Sequence, residues 1–481
     1  MKPKITIFLP YMSNGYHFFK MKEISFLSII CTSLKSNNIK FQVLNPNERN
    51  TNHQLNNTIS LTEMLTNKKD VLIKYLEGEE NFYLKQAFHK IIHKLKSSNL
   101  SEDFFLYYQP TFDEDVHIYL CILKELKSFF KDLKIICSGL YFSKNPLQIM
   151  KQYNFIDYIL DYYSHNSITE VIKAIDNSKI KSITYRSGES IKKNPIGEID
   201  FNTLVMPNHY LLTKDLNVVP VLYCVGCLFK CFFCDYLLAN QRFKLRNIDM
   251  LLEEINFYYK RGVRYFWIEG AAVNLQQNHL IKFCEAIIKN HINIKWSAPL
   301  IPYKIDKSIF NIMNKAGCVH LRIGIETTNE NILKKFKKGI NLESITATLR
   351  ESSEANIKNT LTFMIGLPFE KKSDNIRKMF FVKRNIKYIN SIRTFIFELR
   401  RNTEILKHPN KFSLEPIDDT SNARYLKFNK LGGPPWEEIN KEQLFLQTQL
   451  VQYLDKNKIL HVFPEEYFMN LIKIPFSKSK T

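Results

Sequence analysis

Long apolar runs are missing from this sequence. The longest, around Phe104–Tyr108 and Ile135–Cys137, fall well short of the roughly 20 residues a membrane span requires, so no transmembrane helix is expected. A low-complexity tract is also lacking. With 45% hydrophobic and 24% charged residues, the bulk of the chain should be globular rather than disordered. Met1–Pro10 places a Lys pair before a short apolar run. It has no long apolar region and no small-residue cleavage site, so it reads as an opening β-strand rather than a signal peptide, and a cytoplasmic location is expected. Acidic residues are the minority, 47 against 68 Lys and Arg, for a net charge of +21. Such an excess favours an acidic partner. The basic residues are nevertheless scattered, without the aromatic-interleaved patch of a nucleic-acid groove. Glycine is scarce, at 14 residues, while Asn, Ile and Lys abound, which reads as a general compositional bias. A nucleic acid is therefore not the expected partner.

What the chain does have is a knot of cysteine. Four of the nine, Cys224, Cys227, Cys231 and Cys234, fall within eleven residues. In a long chain without a secretory signal, such crowding points to a metal or cluster rather than a disulfide framework. Cys31, Cys121, Cys137, Cys284 and Cys318 lie in apolar stretches and read as buried free thiols. Four thiolates would saturate a four-iron cluster, whereas three, at Cys227-x-x-x-Cys231-x-x-Cys234, leave one iron open to an exogenous ligand. A zinc knot with Cys224 as fourth ligand is the competing reading, but zinc more often uses two-residue spacings and a second Cys or His pair. No second pair is present.

With 481 residues the chain exceeds the roughly 250–300 at which single cores stop growing, so two domains are expected. Strand-like and helix-like patterns alternate through residues 1–165, at Lys4–Leu9, Ile24–Lys35, Phe41–Leu44, Phe104–Gln109, Leu123–Phe130, Leu133–Ser138 and Tyr158–Leu160. That is the signature of a doubly wound α/β domain. Residues 166–215 turn polar and read as a linker. From 216 to 405, six βα repeats, with strands at Val219–Leu222, Phe266–Glu269, Lys295–Ser297, Leu321–Ile325, Leu361–Ile365 and Arg393–Glu398, fit a partial (β/α)6 TIM-type barrel, whose chemistry belongs at the C-terminal ends of its strands. Residues 406–481 form an α-rich C-terminal extension that caps the barrel or contacts substrate. The three spaced cysteines directly follow the first barrel strand.

That motif, with Gly226 before its first Cys and Phe233 before its last, resembles the radical S-adenosylmethionine (SAM) superfamily. The resemblance extends over nearly the whole chain. It implies a 4Fe-4S cluster on Cys227, Cys231 and Cys234 whose open iron chelates the amine and carboxylate of SAM, and an electron that cleaves SAM to a 5′-deoxyadenosyl radical. Phe233 would lie near the adenine. Trp267-Ile268-Glu269-Gly270 stands where relatives place an acid near the SAM amino group, which implicates Glu269. Leu321-Arg322-Ile323-Gly324-Ile325-Glu326-Thr327 looks like the family's Gly-Ile-Glu-Ser segment, which puts Gly324 and Glu326 at the ribose. Phe363-Met364-Ile365-Gly366-Leu367-Pro368 resembles its Gly-Leu-Pro stretch and places Gly366 beside the adenine. The first domain is similar to the Rossmann-like, cobalamin-binding-like domain of one subclass. Its Asp-x-His-x-x-Gly signature is missing, since Pro10–His17 offers no Asp and His17 has the wrong spacing, so cobalamin stays an open cofactor.

The resemblance implies an enzyme acting on a peptide natural product or secondary metabolite by C-methylation, epimerisation or ring formation, with a flavodoxin or ferredoxin as reductant. Epimerisation would need a hydrogen-atom donor, for which Cys318 is the nearest thiol in sequence, although it sits at a helix end suited to packing. Two alternatives remain open. A non-catalytic iron-sulfur scaffold or electron-transfer protein would use Cys224 as a fourth ligand. A tRNA-modifying radical SAM enzyme would carry three further cluster cysteines in its first domain and an RNA-binding barrel at its C-terminus, and neither is visible.

Overall fold

The computed structural model describes residues 4–10, 24–45, 64–65, 68–97, 100, 103–109, 116–161, 166–213, 216–234, 242–303, 305–401, 403–417 and 425–473. They form two compact units, which divide between Leu216 and Asn217. Segment 11–17, which stands at the position of the cobalamin signature, lies outside the described residues.

The first unit is built on a seven-stranded sheet of β1 (Lys4–Phe8), β2 (Lys40–Leu44), β3 (Phe104–Gln109), β4 (Lys134–Gly139), β5 (Tyr158–Leu160), β6 (Ile183–Ser187) and β7 (Ser190–Lys193), in the order β2-β1-β3-β4-β5-β6-β7. Strands β1 to β5 run parallel. A parallel sheet covered by helices buries both faces, so its strands read as continuous apolar runs. Phe105, Leu106, Tyr107 and Tyr108 are accordingly all inaccessible. The order and direction are those of a doubly wound Rossmann-like domain.

Residues 166–215 are not a linker. Strands β6 and β7 extend the sheet antiparallel, and Arg186 donates from Nε to Ile156 O at 2.8 Å and from Nη2 to Tyr153 O at 2.9 Å and to Met150 O. One guanidinium thus satisfies carbonyls at the C-terminal end of the helix Pro146–Gln152 and in the turn after it. The polarity of this stretch reflects an edge hairpin with one solvated face, which a composition shift alone does not distinguish from a linker.

The second unit carries β8 (Val218–Leu222), β9 (Cys224–Val225), β10 (Lys244–Leu245), β11 (Tyr265–Glu269), β12 (Lys295–Leu300), β13 (Cys318–Glu326), β14 (Lys358–Ile365), β15 (Ser391–Ile396), β16 (Leu399–Arg400), β17 (Leu414–Ile417), β18 (Tyr425–Lys430) and β19 (Leu460–His461). Six strands, β8-β11-β12-β13-β14-β15, pair in parallel with helices between them, and the short β19 adds a seventh at the β15 edge. This is the partial barrel. Its asparagine-rich sequence supplies helix starts: Asn247, Asp306, Asn329 and Asn341 each accept a backbone N–H at the head of a helix, which satisfies donors that a helix leaves orphaned.

After the barrel come a small antiparallel sheet ordered β16-β18-β17, the helix Trp436–Lys456 and the helix Pro464–Leu471. The extension is thus part strand. Phe468 packs against Trp267 at 5.8 Å and stacks on His320 at 6.0 Å, so the last helix covers the inner face of the sheet near the N-terminal ends of its strands. Among the described residues no helix is long and apolar enough to cross a membrane.

Candidate active site

Alternation along parallel strands sends every second side chain to one face. On the inner face of the second sheet those side chains are polar. Ser297 Oγ meets His320 Nδ1 at 2.8 Å, His320 Nε2 meets Thr360 Oγ1 at 2.7 Å, and Thr360 meets Ser391 at 2.5 Å. The chain of contacts crosses β12, β13, β14 and β15. His320 is fully buried, and that burial, helped by Arg322, holds its pKa well below the ordinary 6.5. The ring is neutral and structural.

One level higher, Arg322 lies 3.7 Å over the Trp267 ring and 3.8 Å from Glu269 Oε1, and its Nη2 donates to Ile268 O. Glu269 also accepts from Trp267 Nε1. Glu269 is therefore held at the C-terminal end of β11 by a guanidinium and an indole. One residue on, Gly270 backs onto Cys224: a Cβ there would stand 2.5 Å from the Cys224 sulfur. Cys224 is buried and reaches the Ala272 carbonyl at 3.8 Å. Burial raises its thiol to about 11, against the backbone hydrogen bonds of Ala271 and Ala272. It is a packed residue of β9 and not a member of the spaced trio.

The trio follows on the loop after β8. Tyr223 N donates to Glu269 O at 2.8 Å, which ties the loop's root to β11. Within the loop Cys234 N donates to Cys231 O at 3.1 Å, Phe229 N approaches Cys227 Sγ at 3.4 Å, and Ile405 N donates to Phe232 O at 3.0 Å. Phe232 is buried against Phe412 at 5.0 Å and Phe336 at 5.6 Å, while half-buried Phe233 meets Phe336 edge-on at 5.0 Å. The aromatic pair between Cys231 and Cys234 thus anchors the loop to the C-terminal end of the helix Glu330–Phe336.

Cys231 is buried and its sulfur stands 3.9 Å from the Phe336 carbonyl, whereas Cys227 and Cys234 are partly open. Burial pushes the Cys231 thiol up to about 11; Lys338 opposes this, and Cys234, Cys227 and Glu326 add to it. Sequence reasoning missed Lys338. It follows Phe336 by two residues, with Nζ 5.7 Å from that ring. Burial works against its charge, yet Cys231, Glu326, Cys234 and Cys227 together hold its pKa above the ordinary lysine value. Only the tertiary turn brings this cation to the thiols, and its one sequence signal is the Lys-Lys-Gly that ends the helix.

Glu326 closes β13 with φ at +62°, where the β13–β14 register slips between Gly324 and Glu326. A Cβ on Gly324 would come 2.8 Å from Glu326 Oε1, so glycine leaves the space into which this carboxylate folds. Burial raises the Glu326 pKa, while Lys338, a hydrogen bond from Thr362, Arg400 and Lys378 pull it down. Gly366, after β14, donates its N–H to Glu370 Oε2 at 3.0 Å, and a Cβ on it would meet Gln443 at 2.4 Å. It lines a cleft shared with Glu370, Lys378, Phe397 and Gln443. The structure therefore brings Cys227, Cys231, Cys234, Phe233 and Glu326 together around Lys338. Glu269 sits at the neighbouring strand end in its own ion pair, and Gly366 faces the helix Trp436–Lys456. Cys318 is fully buried, its sulfur 3.8 Å from the His320 carbonyl and its pKa raised well above the thiol norm by burial, which suits packing.

Comparison with known proteins matches residues 221–380 to the radical SAM superfamily. Among curated proteins, the ribosomal protein uS12 methylthiotransferase RimO of Dictyoglomus thermophilum is 24% identical over 280 residues, 54% of this chain and 59% of that protein. Anaerobic magnesium-protoporphyrin IX monomethyl ester cyclase of Cereibacter sphaeroides is 22% identical over 246 residues, 47% of this chain and 40% of that protein. The chain thus spans about half the length of these curated relatives. Among solved structures, the radical SAM methyltransferase TsrM of Kitasatospora setae, with cobalamin and a [4Fe-4S] cluster bound, superposes with a TM-score of 0.64 at 14% identity, over 87% of this chain and 81% of that one. The cobalamin-dependent radical SAM enzyme OxsB, with aqua-cobalamin and SAM bound, gives 0.66 at 14% identity, over 98% and 71%. These likenesses cover both units and establish the fold, a cobalamin-binding-like domain followed by a radical SAM barrel.

The cofactors of a radical SAM domain are a 4Fe-4S cluster and SAM. The donors present fit such a cluster: three thiols on one loop, one buried and two partly open, beside a cation that offsets thiolate charge. Among the described residues no three His, Cys, Asp or Glu side chains converge as ligands of a single ion. A cubane takes one thiolate per iron, so its ligands need not meet at one point.

Proposed function

We propose that this chain, whose residues 221–380 form a radical SAM domain, is an enzyme that holds a 4Fe-4S cluster on Cys227, Cys231 and Cys234 and uses it to cleave SAM and modify a peptide natural product or other secondary metabolite. The observation that carries the reading is the convergence of the three thiols with Lys338 and Glu326 at the C-terminal ends of barrel strands, where this architecture places its chemistry. When bound, the cluster supplies the electron that converts SAM to the 5′-deoxyadenosyl radical.

The chain's own residues do the positioning. Phe232 clamps the loop in the aromatic pocket of Phe336 and Phe412, which fixes the thiols relative to β13. Lys338 balances negative charge at the thiols. Glu326, on its backbone kink over Gly324, offers a carboxylate suited to the SAM ribose hydroxyls, and Phe233 and Gly366 contribute surface for the adenine. Glu269, oriented by Trp267 and Arg322, would face the SAM amine.

Cobalamin-dependent C-methylation is the favoured reaction, because the two-unit fold is shared with TsrM and OxsB. Methylthiolation, the activity named for the RimO relative, is disfavoured by the first unit's thiols. Cys31, Cys121 and Cys137 lie buried in a helix, a second helix and β4, and burial raises all three well above the thiol norm. A flavodoxin or ferredoxin would supply electrons.

The test is anaerobic. Cluster reconstitution with dithionite and SAM, with and without hydroxocobalamin, should yield 5′-deoxyadenosine that vanishes in a Cys227→Ala, Cys231→Ala, Cys234→Ala variant. Retained cobalamin together with S-adenosylhomocysteine supports methyl transfer. An iron-loaded protein that leaves SAM intact under every reductant would return the chain to the scaffold reading.

A further inference from the structure

The inner wall of the second unit holds a second guanidinium that none of the roles above employs. Arg393 lies on β15 two residues after Ser391, whose hydroxyl meets Thr360 on the inner face, so Arg393 shares that face. Backbone register aligns Gly324 with Thr362 and Thr362 with Arg393. That row is also the level at which the Glu326 carboxylate folds over Gly324 and accepts from Thr362. The guanidinium carbon lies over the Phe463 ring, 3.6 Å from its centroid, with the Phe395 ring 5.7 Å away.

Stacking of this kind fixes a planar fork in one orientation before any partner arrives. Arg393 nonetheless forms no hydrogen bond or ion pair among the described residues, and its Nε is buried without an acceptor. Glu466 and Glu465 act on it only through space, and burial outweighs them so that its pKa falls below the arginine norm. Arg322, one row lower, differs in kind, since Glu269, Ile268 O and Trp267 already engage it. A half-buried arginine with a buried, unsatisfied donor is costly unless something planar and anionic completes it.

We propose that Arg393 is a specificity-determining residue that binds a carboxylate of the substrate, so that the substrate class is a carboxylic acid whose apolar neighbour packs on Phe395 and Phe463. This rests on the radical SAM reading for the identity of the reaction, but the binding event is separable from it.

The experiment uses the reconstituted holoprotein with SAM and follows the fluorine NMR signal of 4-fluorobenzoate as probe, with neutral 4-fluorobenzamide and 4-fluorophenyl phosphate in parallel. The wild-type chain should bind the benzoate, with the benzamide weaker by about tenfold or more, the discrimination expected of a charge-assisted fork. Arg393→Met should abolish that discrimination, Arg393→Lys should retain part of it, and Phe463→Ala, which keeps the guanidinium but frees it, should fall between. Circular dichroism confirms that each variant folds. Equal binding of acid and amide by the wild-type chain, or unchanged binding by Arg393→Met, overturns the assignment, and stronger binding of the phosphate ester overturns the carboxylate class. Formation of 5′-deoxyadenosine by the same wild-type sample reports separately on the radical SAM reading. Cleavage without discrimination defeats only the carboxylate site, and discrimination without cleavage defeats only the proposed reaction.

Discussion

The sheet of the first unit buries mainly apolar side chains, with Thr6, Gln109, Ser138 and Thr184 as isolated polar exceptions, whereas that of the second has one face lined by Glu269, His320, Arg322, Thr360, Thr362 and Arg393. In the first, Ile5, Ile7, Phe105, Leu106, Ile135 and Ile136 are all inaccessible, and their burial against helices stabilises the layer without any directional demand. In the second, each buried polar group requires a partner, because an unpaired one costs about 1–3 kcal/mol. Most have one, in the chain from Ser297 to Ser391 and in the Trp267–Glu269–Arg322 set. The difference teaches that a polar inner wall is tolerated where it is cross-linked, and that Arg393, whose Nε has no acceptor among the described residues, marks where a ligand belongs.

The comparison breaks most completely at the cysteine loop. The Cys227→Ala, Cys231→Ala, Cys234→Ala variant should lose all bound iron, read by iron analysis and visible absorption, while hydrogen exchange in β1, β3 and β4 stays unchanged. Loss of protection in the first sheet would show that the two layers are not independent in stability. Next in size is Glu269→Ala. It removes the carboxylate facing Arg322, whose side chain is 12% exposed, and breaking a buried pair of this kind costs about 3–5 kcal/mol. Denaturant titration should place that loss in the second unit alone.

The counterpart in the first unit is Arg186→Met, which deletes three charge-assisted bonds to carbonyls and should cost about 2–4 kcal/mol. A near-neutral result would show that these bonds do not stabilise the packing of the β6–β7 hairpin.

The two units should also answer pH in opposite senses. Burial raises the Asp161 carboxyl from 3.8 to about 6, against the pull of Lys193. The folded first unit therefore keeps a proton that the unfolded chain has released, and its stability falls as pH rises from about 4 through about 6, by on the order of 2–3 kcal/mol. His320, held well below 6.5, refuses a proton that the unfolded chain accepts, so the second unit loses stability as pH falls below about 6.5. Hydrogen exchange read unit by unit between about pH 4 and about pH 7, the range that the Asp161 and His320 shifts span, should show the opposed slopes. Asp161→Asn should flatten one and His320→Gln the other.

The smallest effect belongs to the surface. Lys307 and Glu354 pair at 2.6 Å with both side chains largely exposed, and Lys307→Ala should leave the denaturation midpoint essentially unchanged, because solvent screens an exposed pair.

Much of this organisation was legible in the residues. Strands such as Phe104–Gln109 and Tyr158–Leu160 coincide with their apolar patterns, and the spacing of the thiols after β8 puts all three on one loop because spacing is a local property. The helix Ile24–Ser36 and the strands β11 and β14 likewise declare themselves by period and punctuation. The hairpin β6–β7 did not, since an exposed edge shares its composition with a linker, and neither did β19, whose two residues carry no period at all.

Sequence by itself determined the two-part α/β plan, the loop that gathers Cys227, Cys231 and Cys234, and the Gly-Ile-Glu segment, all of which depend on neighbours within a few positions. Only the tertiary structure decided that Lys338 stands among those thiols, that Glu269 belongs to Arg322 and Trp267, and that Arg393 shares a row with Gly324 and Thr362. Those relations join residues tens to hundreds of positions apart. They depend on strand register and on the direction a helix end turns, which no local pattern encodes.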